Sequence, residues 1–213
     1  MKTDDLVDLL SNDIFPTRSG VPARRFGVAL TVAVIGGTLL LIAAIGIRAD
    51  LVVVLGFPIF WERLAFPFCV GMGALITTSR LARPGAKARI GWVVMTTPVV
   101  IVWVAGVLFV ATTAPQERLL TILGHSWRQC AFRILLLSVP GFIAIFWAVK
   151  GLAPTRLRST GAACGLLASS IGSVIYCFHC REMSPAFWST WYLLGMLLPG
   201  AFGAMLGPKV LRW

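Results

Sequence analysis

Residues 26–47, FGVALTVAVIGGTLLLIAAIGI, form an apolar run of 22 residues without a charged side chain. About 20 consecutive apolar residues are enough for an α-helix to cross the hydrocarbon core of a bilayer. Arg48 and Asp50 follow directly and end the run. We therefore predict a transmembrane helix here, and this stretch decides the class of the protein.

Further apolar runs, separated by short polar segments, fill the rest of the chain. Of its 213 residues, 58% are hydrophobic and 13% are charged, whereas soluble domains carry roughly 25% charged residues. We predict an all-α, polytopic membrane helix bundle with about six transmembrane helices and no separate soluble domain. The predicted spans are residues 26–47, 64–79, 90–111, 129–149, 161–178 and 186–206.

The second span is the least regular of the six. Pro58 and the pair Glu62-Arg63 interrupt the apolar residues that precede it. We interpret residues 51–61 as a turn or a half-buried approach to the helix, because charges are costly inside a bilayer.

Lysine and arginine are divided unequally between the two sides of the predicted bundle. The side that holds both termini carries 13 of them and the opposite side carries six, so the positive-inside rule places both termini in the cytoplasm. The six on the opposite side are Arg48, Arg63, Arg118, Arg128, Arg133 and Arg181. The net charge of +11 therefore indicates membrane topology and contact with the lipid bilayer, and we expect no direct nucleic-acid partner.

These features predict three regions and a location. Residues 1–25 are a cytoplasmic N-terminal segment, residues 26–206 are the six-helix transmembrane domain, and residues 207–213 are a cytoplasmic tail. The first 25 residues are polar and lack the apolar stretch of a cleavable secretory signal. We expect a multi-pass protein of the bacterial inner (cytoplasmic) membrane.

The topology gathers most of the sulfur and imidazole groups at the face opposite the termini. Cys130 lies at the outer end of the fourth span, and Cys177 and Cys180 lie at the outer end of the fifth. His125 precedes the fourth span, and His179 stands between the two late cysteines. The other two cysteines, Cys69 and Cys164, lie in apolar runs, and we interpret them as small core residues.

Three kinds of chemistry remain open for this thiol group: a static disulfide or inert thiols, a redox- or metal-responsive site, and a catalytic thiol. Thiolate and imidazole suit soft ions such as Cu(I), Zn(II) or Cd(II), and no cofactor is required. Arg133 and Glu182 are candidate modulating charges, since a guanidinium near a thiol favours the thiolate.

The N-terminal segment has the pattern of a short amphipathic helix. Thr3 is a plausible N-cap, followed by acidic residues in the first turn. The apolar stripe consists of Leu6, Leu9, Leu10 and Ile14, and the acidic residues include Asp4, Asp5 and Asp8. Two interpretations stay open: a segment that folds onto a basic protein partner by helix-in-groove docking, or an amphipathic tail that lies on the bundle.

Three blocks of this sequence resemble one known family, and together they span the whole chain. They are MKTDDLVDLLSND at 1–13, YCFHCREMSPAFWSTWYLLGM at 176–196 and LGPKVLRW at 206–213, which are similar to the NrsF-type polytopic membrane anti-sigma factors. The family pattern is carried here by Cys180, Glu182, Ser184, Pro185, Phe187, Trp191, Tyr192 and Gly195.

The resemblance implies a non-enzymatic regulator that holds an extracytoplasmic-function sigma factor at the inner membrane. It further implies that paired periplasmic cysteines, which map onto Cys130 and Cys180, respond to heavy metal or oxidative stress. Cys177 and His179 lie beside them as extra donors.

Two other classes compete with this interpretation. A membrane thiol-disulfide oxidoreductase would use Cys177 and Cys180 with Cys130, but the outer face lacks a second dithiol pair. A small metal transporter would need ligands through the bilayer midplane, which is nearly free of Asp, Glu and His. Neither class explains the acidic N-terminal segment.

Overall fold

A computed structural model describes residues 21–83 and 85–212 of the chain. Within those residues the regular structure is entirely helical, with no strand. The N-terminal docking residues predicted above, Asp4 to Ile14, lie outside the described part.

The chain forms six helices that are long and apolar enough to cross a membrane, which confirms the predicted fold class. A π-helical turn, Trp188–Tyr192, makes the last of them continuous from Pro185 to Val210. In chain order the helices are α1 (Val21–Ala44), α2 (Leu51–Val54), α3 (Pro58–Leu81), α4 (Arg89–Thr112), α5 (Arg118–Leu123), α6 (Trp127–Lys150), α7 (Leu157–Tyr176), α8 (Pro185–Phe187) and α9 (Leu193–Val210).

Helix α7 is the centre of the bundle. It packs on α9, α6, α3 and α1, whereas α4 lies at the periphery against α3. The contact between α7 and α9 is made by small residues at backbone distance: a Cβ atom on Gly161 or Gly165 would collide with the carbonyl of Gly203 or Pro199. Such close approach is how helices gain packing energy in lipid, where apolar area alone gives little.

The start of the second span differs from the prediction. Helix α3 begins at Pro58, so Arg63 lies inside its second turn instead of in a turn before it. Pro58 occupies the first helical position, where its missing N–H is no loss. The charge of Arg63 is accepted because backbone carbonyls from a distant part of the chain surround it, as described below.

The other helices shift by a few residues from their predicted limits. Helix α1 begins five residues earlier than the apolar run, and its Arg25 places its guanidinium 5.6 Å from the ring centre of Trp147 on α6. Helix α7 covers Leu157–Tyr176, so Cys177 follows the helix directly.

The two ends of the bundle differ in chemistry. We call one the thiol end, formed by residues 45–57, 113–126 and 177–184. We call the other the basic end, formed by residues 82–88 and 151–156 together with the start of α1 and the end of α9. Arg25 beside Gly151, and Leu157 beside Gly207, bring the elements of the basic end together.

Candidate functional site at the thiol end

Three cysteines meet beneath the surface of the thiol end. Cys130 lies in the first turn of α6, Cys177 caps α7, and Cys180 lies in the turn after it. All three are buried free thiols, close enough to one another to interact electrostatically. Burial raises the pKa of the Cys177 thiol to about 11, so this group is a neutral thiol at physiological pH.

The remaining two cysteines lie elsewhere. Cys164 is buried within α7, which agrees with its interpretation as a core residue. Cys69 is exposed on α3, so that interpretation was wrong for it. Its helix is apolar all round, and the sequence pattern therefore did not reveal which face it occupies.

A cleft of about 440 Å³ opens above the thiols. Cys180 lines this cleft, whereas Cys130 and Cys177 do not. A soft ion or a small oxidant that enters the cleft therefore meets Cys180 before the two cysteines that do not line it. The other polar lining residues are Arg48, His125, Ser126, Arg133, Tyr176, His179, Arg181 and Glu182.

Arg63 holds the turn that carries two of the thiols. Its side chain is completely buried, and its guanidinium donates to the carbonyl oxygens of Cys177 at 2.8 Å, Cys180 at 3.0 Å and Glu182 at 2.7 Å. The carbonyl of Cys177 lies at the C-terminal end of α7, where the helix dipole is negative. A buried cation is thus stabilised by dipoles instead of by a carboxylate.

Arg48, in the α1–α2 connection, binds the same turn, and we call the contacts of Arg63 and Arg48 with this turn the arginine clasps. It donates to the Cys180 carbonyl at 3.0 Å and forms a two-pronged salt bridge to Asp50, with both N–O distances 2.8 Å. This bidentate pair lowers the pKa of Asp50 to about 2 and raises the pKa of Arg48. The backbone N–H of Arg48 also donates to the Phe178 carbonyl. Two guanidiniums, one from the α1–α2 connection and one from α3, therefore converge on the carbonyl of Cys180.

His179 is held as a neutral imidazole. Its Nδ1 lies 2.8 Å from the Gly46 carbonyl, and its Nε2 lies 2.6 Å from the Arg133 guanidinium. Because arginine can only donate, Nε2 must accept and Nδ1 must carry the proton. Burial, and then the nearby positive charges of Arg133, Arg181 and Arg48, lower the pKa of His179.

Glu182 binds the loop that leads into α6. Its Oε1 accepts from the backbone N–H of His125 at 2.8 Å, with the Ser126 hydroxyl 3.5 Å away. His125 lies in the loop just before the N-cap Ser126, so this bond fixes the entry into α6 but does not cap the helix. The predicted modulating charges thus have other contacts: Arg133 binds His179, and Glu182 binds the loop before α6.

The arrangement offers sulfur more readily than nitrogen or oxygen donors. In the described part of the chain, no three His, Cys, Asp or Glu side chains stand together as a group that could hold a metal ion. The Nε2 of His179 and the carboxylate of Glu182 are already engaged. The thiols of Cys130, Cys177 and Cys180 are the remaining donors, and two thiols can in principle form a disulfide or bind a soft ion.

The sequence analysis treated Arg48 and Arg63 only as charges that report topology. Their role as clasps was not predicted. The sequence did contain an indication for Arg63, because a charged residue beside an apolar run usually has a structural or functional partner. Its acceptors, however, lie 114–119 residues away along the chain, where no local pattern connects them.

Comparison with known proteins agrees with the resemblance noted above. Residues 10–213 match the family NrsF, described as "Negative regulator of sigma F". The chain is 40% identical to the "Probable anti-sigma-F factor NrsF" of Azospira oryzae and 34% identical to the "Anti-sigma-F factor NrsF" of Caulobacter vibrioides, with each chain covered in full. No solved structure matches the chain.

Proposed function

Because the chain belongs to the NrsF family, we propose that it is an anti-sigma factor that holds an extracytoplasmic-function sigma factor at the inner membrane. The family supports a regulatory role rather than an enzymatic one. The six apolar helices make it a membrane protein, and the names of both curated relatives point to a sigma factor as partner.

The proposed sigma-binding element is the N-terminal segment, with its stripe Leu6, Leu9, Leu10 and Ile14 and its acids Asp4, Asp5 and Asp8. Both termini lie in the cytoplasm in this proposal, and the thiol end faces the periplasm. The excess of Lys and Arg at the basic end, including Arg80, Arg83, Lys87 and Arg156, supports this orientation by the positive-inside rule.

The proposed signal is a heavy-metal ion or an oxidant that engages Cys130 and Cys180. The observation that carries this step is the position of Cys180 in the cleft with the buried Cys130 within electrostatic range. No resident cofactor is required; Cu(I), Zn(II) or Cd(II) would bind transiently. His179 takes part only if Arg133 gives up its contact with Nε2, and Cys177 is a completely buried thiol that does not line the cleft.

Packing suggests how the signal would reach the sigma factor. Linking Cys130 to Cys180 ties the start of α6 to the turn after α7, and α6 packs along α1 with Gly36 against Pro140. Helix α1 directly follows the N-terminal segment in the chain. A tenfold loss of sigma affinity needs only about 1.4 kcal/mol of coupling between the two sites.

The sensor is tested in cells with a reporter gene driven by the cognate sigma factor. We expect Cd²⁺ to induce the wild type but not the double variant Cys130→Ser/Cys180→Ser. Cys164→Ala is the matched control, because it removes a buried thiol of α7 about 20 Å from Cys177 at 1.5 Å per residue. Full induction of the double variant would rule out the two-cysteine sensor.

The sigma-binding element is tested by co-purification of the sigma factor with the full chain from detergent-solubilised membranes. Leu6→Asp/Leu10→Asp places charges on the apolar stripe and should abolish capture. Val7→Asp places one beside the stripe and should leave most capture intact. Equal capture by both variants would mean that another cytoplasmic surface binds sigma.

The orientation is tested separately with topology reporters. Alkaline phosphatase fused after Pro115 should be active, whereas the same enzyme fused after Trp213 should be inactive. Activity at both positions would overturn the proposed scheme, because the thiols and the termini would then share a compartment.

A further inference from the structure

A long apolar groove runs along one side of the bundle and ends at the thiol end. Its floor is α7 and its walls are α1 and α3, which both pack on α7 and hardly touch each other. The groove measures about 610 Å³ and is lined almost entirely by apolar atoms. Leu30 and Leu41 mark part of its length on α1, a distance of roughly 16 Å at 1.5 Å per residue.

The groove meets the polar cleft at one residue. Ile47 lines both cavities, and Phe178 in the groove is followed directly by His179 in the cleft. The junction lies just beyond the end of α1, where the spanning segments give way to the connections of the thiol end. A molecule with an apolar tail and a polar head can therefore occupy both cavities at once.

The cleft is positively charged. Three guanidiniums, those of Arg48, Arg133 and Arg181, line it against the single carboxylate of Glu182, while Asp50 pairs with Arg48 at its edge. Burial, and after it the positive charges of these three arginines, lower the pKa of His179. Arg181 is exposed and makes no side-chain hydrogen bond with the described residues, so it remains available to an incoming anion.

We propose that the groove and the adjoining cleft bind one anionic phospholipid, with an acyl chain between α1 and α3 and the phosphate in the cleft that Arg48, Arg133 and Arg181 line. Arg133 and Arg181 would bind the phosphate, because Arg48 is already paired with Asp50 and with the Cys180 carbonyl. A lipid is the occupant that supplies hydrocarbon along the spanning helices and a phosphate at their end. Guanidinium groups are suited to phosphate. A zwitterionic lipid would bring an ammonium group towards the same three arginines. This inference does not depend on the sigma factor or on thiol chemistry.

The test is native mass spectrometry of the full chain in detergent, titrated with phosphatidylglycerol or phosphatidylethanolamine of identical acyl chains. We expect one retained phosphatidylglycerol, bound more tightly than phosphatidylethanolamine. Arg181→Gln should weaken phosphatidylglycerol binding about fivefold, because an arginine near an anionic lipid contributes about 1 kcal/mol. Arg128→Gln is the control, since Arg128 is exposed at the same end but does not line the cleft.

The groove is tested by filling it. Val34→Trp places a large side chain on its α1 wall and should abolish retention of both lipids. Val104→Trp is the matched control, because Val34 and Val104 are 49% and 50% exposed and only Val34 lines the groove. Equal retention of the two lipids by the wild type, no effect of Arg181→Gln, or unchanged retention by Val34→Trp would each overturn the proposal.

Discussion

Replacement of Arg63 by methionine removes the buried clasp while keeping a side chain of similar length. The guanidinium makes three hydrogen bonds to the turn that carries Cys177 and Cys180. Hydrogen bonds to a charged group contribute about 1.5–3 kcal/mol each. Removing a buried charge also relieves a desolvation penalty of several kcal/mol, so the bonds do not simply add.

We expect a net local loss of about 3 kcal/mol, because buried carbonyls lose their donor and each unsatisfied buried polar group costs about 1–3 kcal/mol. Because each 1.4 kcal/mol is a factor of ten, the turn should open roughly 100-fold more often. The assay is the rate at which a maleimide labels Cys177, the completely buried thiol that caps α7. The other four cysteines are replaced by alanine so that one rate reports one opening.

Arg118→Met is the matched control for this experiment. Arg118 also donates to two backbone carbonyls at the thiol end, those of Thr113 and Ala111, but both contacts are exposed. Water replaces the lost donors there, and labelling of Cys177 should change less than about twofold, as expected for an exposed surface contact. A rate for Arg63→Met within threefold of wild type would refute the idea that Arg63 restrains the turn.

Three further changes have defined outcomes. Gly165→Val places a Cβ on the carbonyl of Pro199 and should lower the free energy of unfolding by about 3 kcal/mol. The Cβ of Gly27→Ala meets no atom within 4 Å, and this variant should stabilise α1 by about 0.5–1 kcal/mol. Equal thermal midpoints of the two variants in detergent would contradict this packing. Glu182→Ala should cost about 1 kcal/mol by removing the acceptor in the loop before α6, and Glu182→Gln should restore most of it; if both fall equally, the charge and not the hydrogen bond is needed. His179 has a pKa lowered from 6.5, so the unfolded chain binds its proton first and stability should fall as pH drops below about 6.5. A denaturation series from pH 8 to pH 5 should show a smaller decline for His179→Gln, and parallel curves would mean that the folded His179 titrates normally.

The number and order of the spanning helices were predictable because the bilayer fixes their length and composition. A helix must satisfy its own backbone in lipid, so an apolar run such as 26–47 has few alternatives to a helix. The same constraint does not fix the ends. The chain is already helical at Val21, ahead of the apolar run, and Arg25 reaches Trp147 on α6, a contact that depends on tertiary packing.

The grouping of the three thiols at one end followed from topology, but their chemistry did not. The sequence placed Arg133 one turn from Cys130 and so suggested a thiol partner for it. In the folded chain Arg133 contacts His179, which is also held by the Gly46 carbonyl from the end of α1. Which of several nearby acceptors a guanidinium selects depends on helix rotation, and an apolar spanning helix gives little periodicity from which to read that rotation.

The clasps give the proposed sensor a threshold. At rest Cys180 reaches the cleft, but its carbonyl is held by both Arg48 and Arg63, and Cys130 does not line the cleft. Any movement of the turn that joins the two sulfurs breaks these arginine contacts, so the free energy of the new bond must then exceed theirs. A ligand shifts a conformational equilibrium only by its differential affinity for the two states. A soft ion that binds two thiolates strongly can meet this requirement, whereas a hard ion that prefers oxygen cannot. On this reasoning Arg63→Met should lower the Cd²⁺ concentration needed for induction, and an unchanged or higher induction threshold would separate the arginine clasp from the sensing step.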